Sequence, residues 1–317
     1  MKKKLLVVLM MLAMCFAMAS CGGKDELSGD IKIGTLVGPT GMGLIDLQDN
    51  ENIDLELYQA PTDAVQKLIS GDIDVACVPS NLGPVLYNKT GGQVQILTTV
   101  VNGVLYVVEN GESAKALTDL KGKTIFASGK GGTPEYVLTA LLEDAGLEVG
   151  KDVTIKWFDN HADVAQQIAT KKGAIGLLPE PQVSAIEAKA KTVKTALDCN
   201  ALWQDLTGQE LPMGILLAKK SFVESRATDI ETLLSLVAAS VEDVNSASDE
   251  VVQKIVDAGI VPSAEICKAV IPNCSIVCMS AEDSKATLAA FFQRLYEVEA
   301  TAVGGEMPGD DIYYGIK

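Results

Sequence analysis

From residue 31 onward, short apolar runs of strand length alternate with amphipathic segments of helix length, and that alternation limits the chain to an α/β architecture. Ile31-Lys32-Ile33-Gly34-Thr35-Leu36-Val37 reads as a strand, followed by Gly38-Pro39-Thr40-Gly41-Met42-Gly43 and a short helix to Gln48. Residues 53–58 form the second strand. Thr62 is placed to cap a helix whose Val65, Leu68 and Ile69 share a face and which ends near Gly71. Residues 73–78 form a third strand, Pro79-Ser80-Asn81 leads into a helix to Asn88, and residues 94–100 form a fourth. A helix after each strand favours parallel pairing through right-handed crossovers.

A second unit of the same kind starts near Gly103. Its central stretch is Ser128-Gly129-Lys130-Gly131-Gly132-Thr133-Pro134-Glu135, between the strand-like Thr124-Ile125-Phe126-Ala127 and a helix carrying Val137, Leu138, Leu141, Leu142 and Ala145 on one side. Thr133 can cap that helix, Pro134 suits its first position and Gly146 closes it. A glycine-rich turn there leaves backbone N–H groups free beside the positive end of a helix dipole, which suits a small acceptor-rich or anionic ligand. Residues 153–158 form another strand. Asn160 caps a helix from His161 to about Thr170, with Asp163 in a box-like position. Ala174-Ile175-Gly176-Leu177-Leu178 and Pro179-Glu180-Pro181 follow, then a strand at 192–197, a loop around Trp203 and a strand at 211–218 returning to the first unit. Beyond Phe222 the alternation ends. Ile230, Leu233, Leu234, Val237, Val241 and Val244 make one helical stripe, and Leu288, Phe291, Phe292, Leu295 and Val298 another. These predict helices packed across the first unit, and the acidic stretch from Gly304 predicts a loosely ordered tail.

In open α/β sheets, ligands gather beyond the carboxyl ends of parallel strands. Those ends are 38–43, 59–62 and 79–81 in the first unit and 128–133, 158–161 and 179–182 in the second. If the two units face each other, these loops line a shared cleft. Other chemistries find little support. There is no G-x-S-x-G elbow, and His161, the only histidine, reads as a solvent-facing residue at a helix start. Gly122-Lys123-Thr124 lacks the earlier glycine of a P-loop, and Gly38, Gly41 and Gly43 miss the dinucleotide spacing. No metal constellation is evident, so neither metal nor cofactor is expected.

The net charge of −16 disfavours nucleic acid and an anionic membrane surface as partners. Arg226 and Arg294 are the only arginines, so an anion held elsewhere depends on lysine, hydroxyls or backbone N–H groups. Lys2-Lys3-Lys4, the apolar run from Leu5 to Ala17 and Met18-Ala19-Ser20-Cys21 predict a secretory signal over 1–20. Cys21 then resembles a lipid-bearing first residue, and 21–29 a flexible tether. Cys77 reads as a buried hydrophobe. Cys267, Cys274 and Cys278 match no zinc pattern; one disulfide or free thiols both suit them.

Taken together, the lipobox cysteine, the two α/β units, the out-and-back crossover and the helical C-terminus resemble the type II solute-binding lipoproteins of ABC importers. Within these the chain is most similar to the nitrate/sulfonate/taurine and thiamine-pyrimidine-precursor branch. The residues carrying the likeness are Gly38-Pro39-Thr40-Gly41-Met42-Gly43, Asp72-Ile73-Asp74-Val75-Ala76 before Pro79-Ser80-Asn81, Asp119-Leu120-Lys121-Gly122-Lys123, and Leu178-Pro179-Glu180-Pro181. The resemblance implies a two-lobed periplasmic-binding-protein fold with mostly parallel sheets and crossover strands as hinge. It divides the chain into lobe 1 at 30–102 and 215–317 and lobe 2 at 103–214. The implied activity is capture of a small organic ligand, anionic or heteroaromatic, and its delivery to a permease with its ATPase. The implied protein is a monomer outside the cell, joined to the membrane by its lipid only, and not an enzyme. Carried over by position, the ligand contacts are Thr40, Gly41, Met42, Ser80 and Asn81 from lobe 1. Lobe 2 offers Gly129, Lys130, Gly131, Thr133 and Glu180, where Lys130 meets an anion or Glu180 an amine. Tyr58, Tyr136, Trp157 and Trp203 are candidate stacking residues. The arginine clamp of amino-acid-binding relatives is missing, as are the cysteine-rich signature and histidine of the thiamine-pyrimidine synthase. That enzyme on the same fold, and a sensing module without a transporter, are the alternatives.

Overall fold

The structure is a computed structural model describing residues 26–316. The expected signal, Cys21 and the first part of the tether lie outside those residues. The first unit runs β1 (Ile31–Leu36), α1 (Pro39–Gly43), β2 (Ile53–Tyr58), α2 (Pro61–Ser70), β3 (Val75–Pro79), α3 (Leu82–Lys89) and β4 (Val94–Asn102). The second runs β5 (Leu105–Asn110), β6 (Thr124–Ser128), α4 (Thr133–Asp144), β7 (Thr154–Phe158), α5 (His161–Thr170), β8 (Ile175–Pro179), α6 (Gln182–Lys189), β9 (Val193–Asp198) and α7 (Cys199–Thr207). The chain then returns through β10 (Pro212–Lys219), α8 (Lys220–Ser225), α9 (Ala227–Ser246), α10 (Asp249–Asp257), α11 (Ala264–Val270), β11 (Ile276–Ser280) and α12 (Ala281–Val298).

Two sheets result, in the orders β11-β4-β10-β3-β1-β2 and β7-β6-β8-β5-β9. The βαβ segments pair in parallel, β1 with β2 and β3, and β6 with β7 and β8. The sheets are nevertheless mixed rather than mostly parallel. The long crossover strands enter antiparallel, β10 between β3 and β4, and β5 between β8 and β9. A strand that returns after leaving for another unit has no crossover helix to impose parallel direction. The helical stripes of the last third surround one further strand, β11, antiparallel to β4 at the sheet edge.

The two units repeat each other at an offset of one hundred residues. Helices α2 and α5 bury Ala64 and Leu68 in one case and Val164 and Ile168 in the other, at matching positions. Strands β3 and β8 share a burial pattern and lead to Ser80-Asn81 and Glu180-Pro181 respectively. Helix α2 begins at Pro61 with no side-chain cap from Thr62, because proline's fixed φ already suits the first helical position. Asn160 does cap α5, its Oδ1 accepting from Asp163 N–H at 2.9 Å.

One apolar core joins the units. Helix α12 packs on β4 and β11 of its own sheet and on α4 and α7 of the other unit. Trp203, Phe291 and Phe292 are fully buried there, with Trp203–Phe291 centroids 5.6 Å apart and Phe291–Phe292 at 5.9 Å. Trp203 therefore sits in a helix and a core, not in a loop or on a stacking surface. The C-terminal stretch is docked rather than loose. Ile312 and Tyr313 are buried, Tyr313 bridges to Ile96, and Asp311 accepts from Tyr87 Oη at 2.6 Å and pairs with Lys220. The tether is likewise held at its end, where Leu27 is buried and Ser28 donates from N–H and Oγ to Asp229 at 2.8 and 2.6 Å.

Candidate functional site

Parallel register places the strand-end loops of each unit side by side. Leu36 pairs with Tyr58, and Ser128 with Phe158, so each pair of loops leaves its sheet at one level. The glycine turn after β6 takes left-handed backbone at Gly129 (φ 81°) and Gly131 (φ 76°), which a side chain rarely tolerates. The helix cap there is Gly132, not Thr133. Released from capping, Thr133 Oγ1 donates to Asn81 Oδ1 at 3.0 Å across the two units, and both residues are buried. Asn81 stands at the start of α3 without capping it, leaving its amide oxygen for this contact.

Of the loops expected to line a cleft, 79–81 and 128–133 meet through this bond, and the candidate residues divide by what their side chains do. Ser80 is fully buried, and its Oγ has no hydrogen-bond partner. Gly129, Lys130 and Gly131 are exposed on the turn. Thr40 is partly buried, with Oγ1 donating to Leu36 O at 3.2 Å. Gly41 packs so tightly that a Cβ would stand 2.6 Å from Leu36 O, and Met42 lies wholly in the apolar core of the first unit. Glu180 is buried as well. Its carboxylate accepts from Ser184 N–H at 3.0 Å and Ser184 Oγ at 2.8 Å, fastening the start of α6, and burial raises its pKa above the usual carboxylate value. Asn273 Nδ2 reaches Ser184 Oγ from the other unit at 3.4 Å.

Two features are hidden from the sequence alone. His161 is half-buried rather than solvent-facing: its Nδ1 lies 2.6 Å from Ser128 Oγ, and desolvation lowers its pKa to about 4, leaving a neutral imidazole at pH 7. The available clue is topological, since Ser128 ends β6 and His161 follows the β7 that pairs with it. The second is Glu135, in the first turn of α4, whose Oε2 accepts from Gly131 N–H at 2.5 Å. No group of His, Cys, Asp and Glu among the described residues could hold a metal ion. Cys77, Cys199, Cys267, Cys274 and Cys278 are free thiols, and burial pushes Cys274 up to about 12.

Two α/β units joined by paired crossovers, with their strand-end loops in contact, define a solute-binding protein of the periplasmic-binding fold. Residues 47–262 match the family model of the ABC transporter phosphonate periplasmic substrate-binding proteins, and the chain belongs to that family. Among solved structures, an ABC transporter protein from Parabacteroides distasonis aligns at 21% identity, over 90% of this chain and 99% of its own, with a TM-score of 0.75. The aliphatic sulphonate-binding protein SsuA of Escherichia coli aligns at 17% identity over 91% and 92% (TM-score 0.73). The alkanesulfonate-binding SsuA of Xanthomonas axonopodis, bound to MOPS, aligns at 14% over 86% and 94% (TM-score 0.67). At these identities the likeness establishes the shared fold. A search of the curated proteins by sequence finds no match. No helix of the described residues is long and apolar enough to cross a membrane.

Proposed function

We propose that the chain is the extracytoplasmic receptor of an ABC importer, fixed to the membrane through lipid on Cys21. In this reading, residues 30–102 with 215–317 and residues 103–214 are two lobes that close on a small organic ligand. The closed form is then presented to the permease and ATPase. Loops 102–105, from β4 to β5, and 208–212, from α7 to β10, serve as hinges. Ser80 and Asn81 from one lobe and Gly129, Lys130, Gly131 and Thr133 from the other contact the ligand, with Thr40 at the rim. Met42 supports its loop from the core, and Glu180 fixes the mouth of α6. The chain acts as a monomer and does not transform what it binds.

The observation that carries this reading is the buried Thr133–Asn81 hydrogen bond, made between the strand-end loops of different units. Two buried polar side chains that meet across the units mark a surface built to close. Ligand affinity then depends on how much better the ligand fits the closed than the open arrangement. The test is a thermal-shift screen of a form lacking Cys21 against sulfonates, small acids, amines and heteroaromatics, with X-ray scattering on every hit. A binder raises the melting temperature by mass action and reduces the radius of gyration. Hits that leave the scattering unchanged defeat the closing mechanism, and recovery of a hit chemically altered defeats the non-enzymatic reading.

A further inference from the structure

We propose that the second unit carries an accessory site for a phosphate group, held by lysines at the end of its sheet remote from the strand-end loops. The site is a shallow depression of about 240 Å3 lined by Lys123, Lys171 and Lys172, with Thr124 and the half-buried ring of Phe126. Thr124 opens β6 and Ser128 closes it, and Ile175 and Pro179 stand in the same relation in β8. At about 3.3 Å per residue, the depression lies about 13 Å, one strand length, from the loops that contact ligand in the receptor reading.

The charges there run against the composition of the chain. Acidic residues outnumber basic ones by 42 to 26, yet no acidic side chain lines the depression. Nearby Lys121 and Lys151 are paired with Asp152 and Glu148, whereas the three lining lysines form no salt bridge among the described residues. Glu109 and Asp119, which feel the charge of Lys123, are turned to their own loops: Glu109 accepts from the N–H groups of Ser113 and Ala114, and Asp119 from those of Lys115 and Ala116. The lysines also stand on anchored backbone. Gly173, in left-handed conformation (φ 75°), donates its N–H to Asn110 O at 2.7 Å, and Ala174 N–H donates to Lys171 O at 3.1 Å. Lys171 Nζ donates to Gln167 Oε1 at 2.6 Å and lies 5.3 Å from the Phe126 centroid, which leaves two of its three donors open. Covering Phe126 needs only that one stem. Lys123 and Lys172 add like charge to the same depression, an arrangement that repels itself until an anion enters. Ammonium groups act as point charges and suit a tetrahedral phosphate, while the flat fork that arginine offers a carboxylate is absent here. The exposed Thr124 adds a hydroxyl donor.

The test titrates the purified full-length protein at low ionic strength with pyrophosphate, with citrate as a polyanion of flat carboxylates, and with phosphatidylglycerol vesicles. The wild type is expected to bind pyrophosphate where the site takes a free anion, or the vesicles where it takes a lipid headgroup. Lys123→Gln/Lys172→Gln is expected to weaken that binding about tenfold or more, as loss of charge-assisted contacts does. It leaves Lys171 on Phe126, and an unchanged ligand-free melting temperature reports an intact turn. Lys189→Gln/Lys191→Gln removes the same charge from outside the depression and is expected to keep wild-type affinity. Equal losses in both variants would reduce the effect to overall charge and overturn the site. Undiminished binding by Lys123→Gln/Lys172→Gln would place the anion elsewhere and overturn it too. So would citrate binding as tight as pyrophosphate or vesicles, or a wild type that binds neither phosphate probe.

Discussion

His161 shows how one side chain ties the site to pH. Burial beside Ser128 holds its pKa near 4, against about 6.5 in the unfolded chain. The unfolded state therefore binds more protons as pH drops below about 6.5, and the native state loses stability progressively from there to about pH 4. The full loss amounts to about 3 kcal/mol. Urea midpoints of the wild type and His161→Gln at pH 7, 5.5 and 4 isolate this contribution, because carboxylate effects common to both proteins cancel. The gap between the two is expected to shift in the variant's favour as pH falls; a gap independent of pH contradicts the buried neutral imidazole. At the same scale, a double-mutant cycle on Asn81→Ala and Thr133→Val measures the interlobe bond. A coupling of about 0.5–1.5 kcal/mol is expected, with weakened ligand binding in both single variants. Additive effects would mean that the two side chains do not meet in solution.

Helix α12 connects elements that lie far apart in the sequence. Its stripe of Leu288, Phe291, Phe292 and Leu295 is readable from spacing alone, but its partners are not. Periodicity reports that a face is apolar and says nothing about which surface covers it. The same limit applies to Trp203, whose loop-like surroundings hide a nine-residue helix under α12. Local pattern succeeds where an element's own residues decide its form, as in the alternating strands and helices of both units and the Asn160 cap. It fails where a distant partner decides. Thr133 forsakes its cap for Asn81, β11 exists because β4 offers an edge, and Tyr313 holds the C-terminal stretch against Ile96. Of the candidate site, the loops are legible from topology, while the roles of Met42, Glu180 and His161 depend on burial that only the folded chain creates. Phe291→Ala tests the shared core: removing a fully buried ring is expected to lower stability by about 3–5 kcal/mol. Because that core spans both units, calorimetry should record a single transition at lower temperature; two separated transitions would show units that fold independently.

For the whole molecule, closing and opening must be reconciled with a core that already bridges the units. Helix α12 makes its apolar contacts with α4 and α7 of the second unit, and α7 leads directly into the returning strand β10. The Thr133–Asn81 bond belongs instead to the strand-end loops. Under the receptor reading proposed above, opening would pivot on the α12 side while the loops part, a hinge motion that leaves the apolar cluster largely packed. Arg294 is the polar fastening on that pivot, donating to Ala140 O at 3.1 Å and facing Glu143 at 3.6 Å from across the unit boundary. Replacing it by alanine removes a charge-assisted bond that holds α4 to α12 and leaves the Ala140 carbonyl to find water, an effect of about 1.5–3 kcal/mol. Because the pivot stays packed in both arrangements, this loss bears on stability and not on the balance between open and closed forms. Arg294→Ala is therefore expected to melt earlier than the wild type while keeping its ligand-free radius of gyration and its ligand affinity. A larger radius in the ligand-free variant, restored to the wild-type value by saturating ligand, would show that the Arg294 contacts form only in the closed arrangement and move the pivot elsewhere.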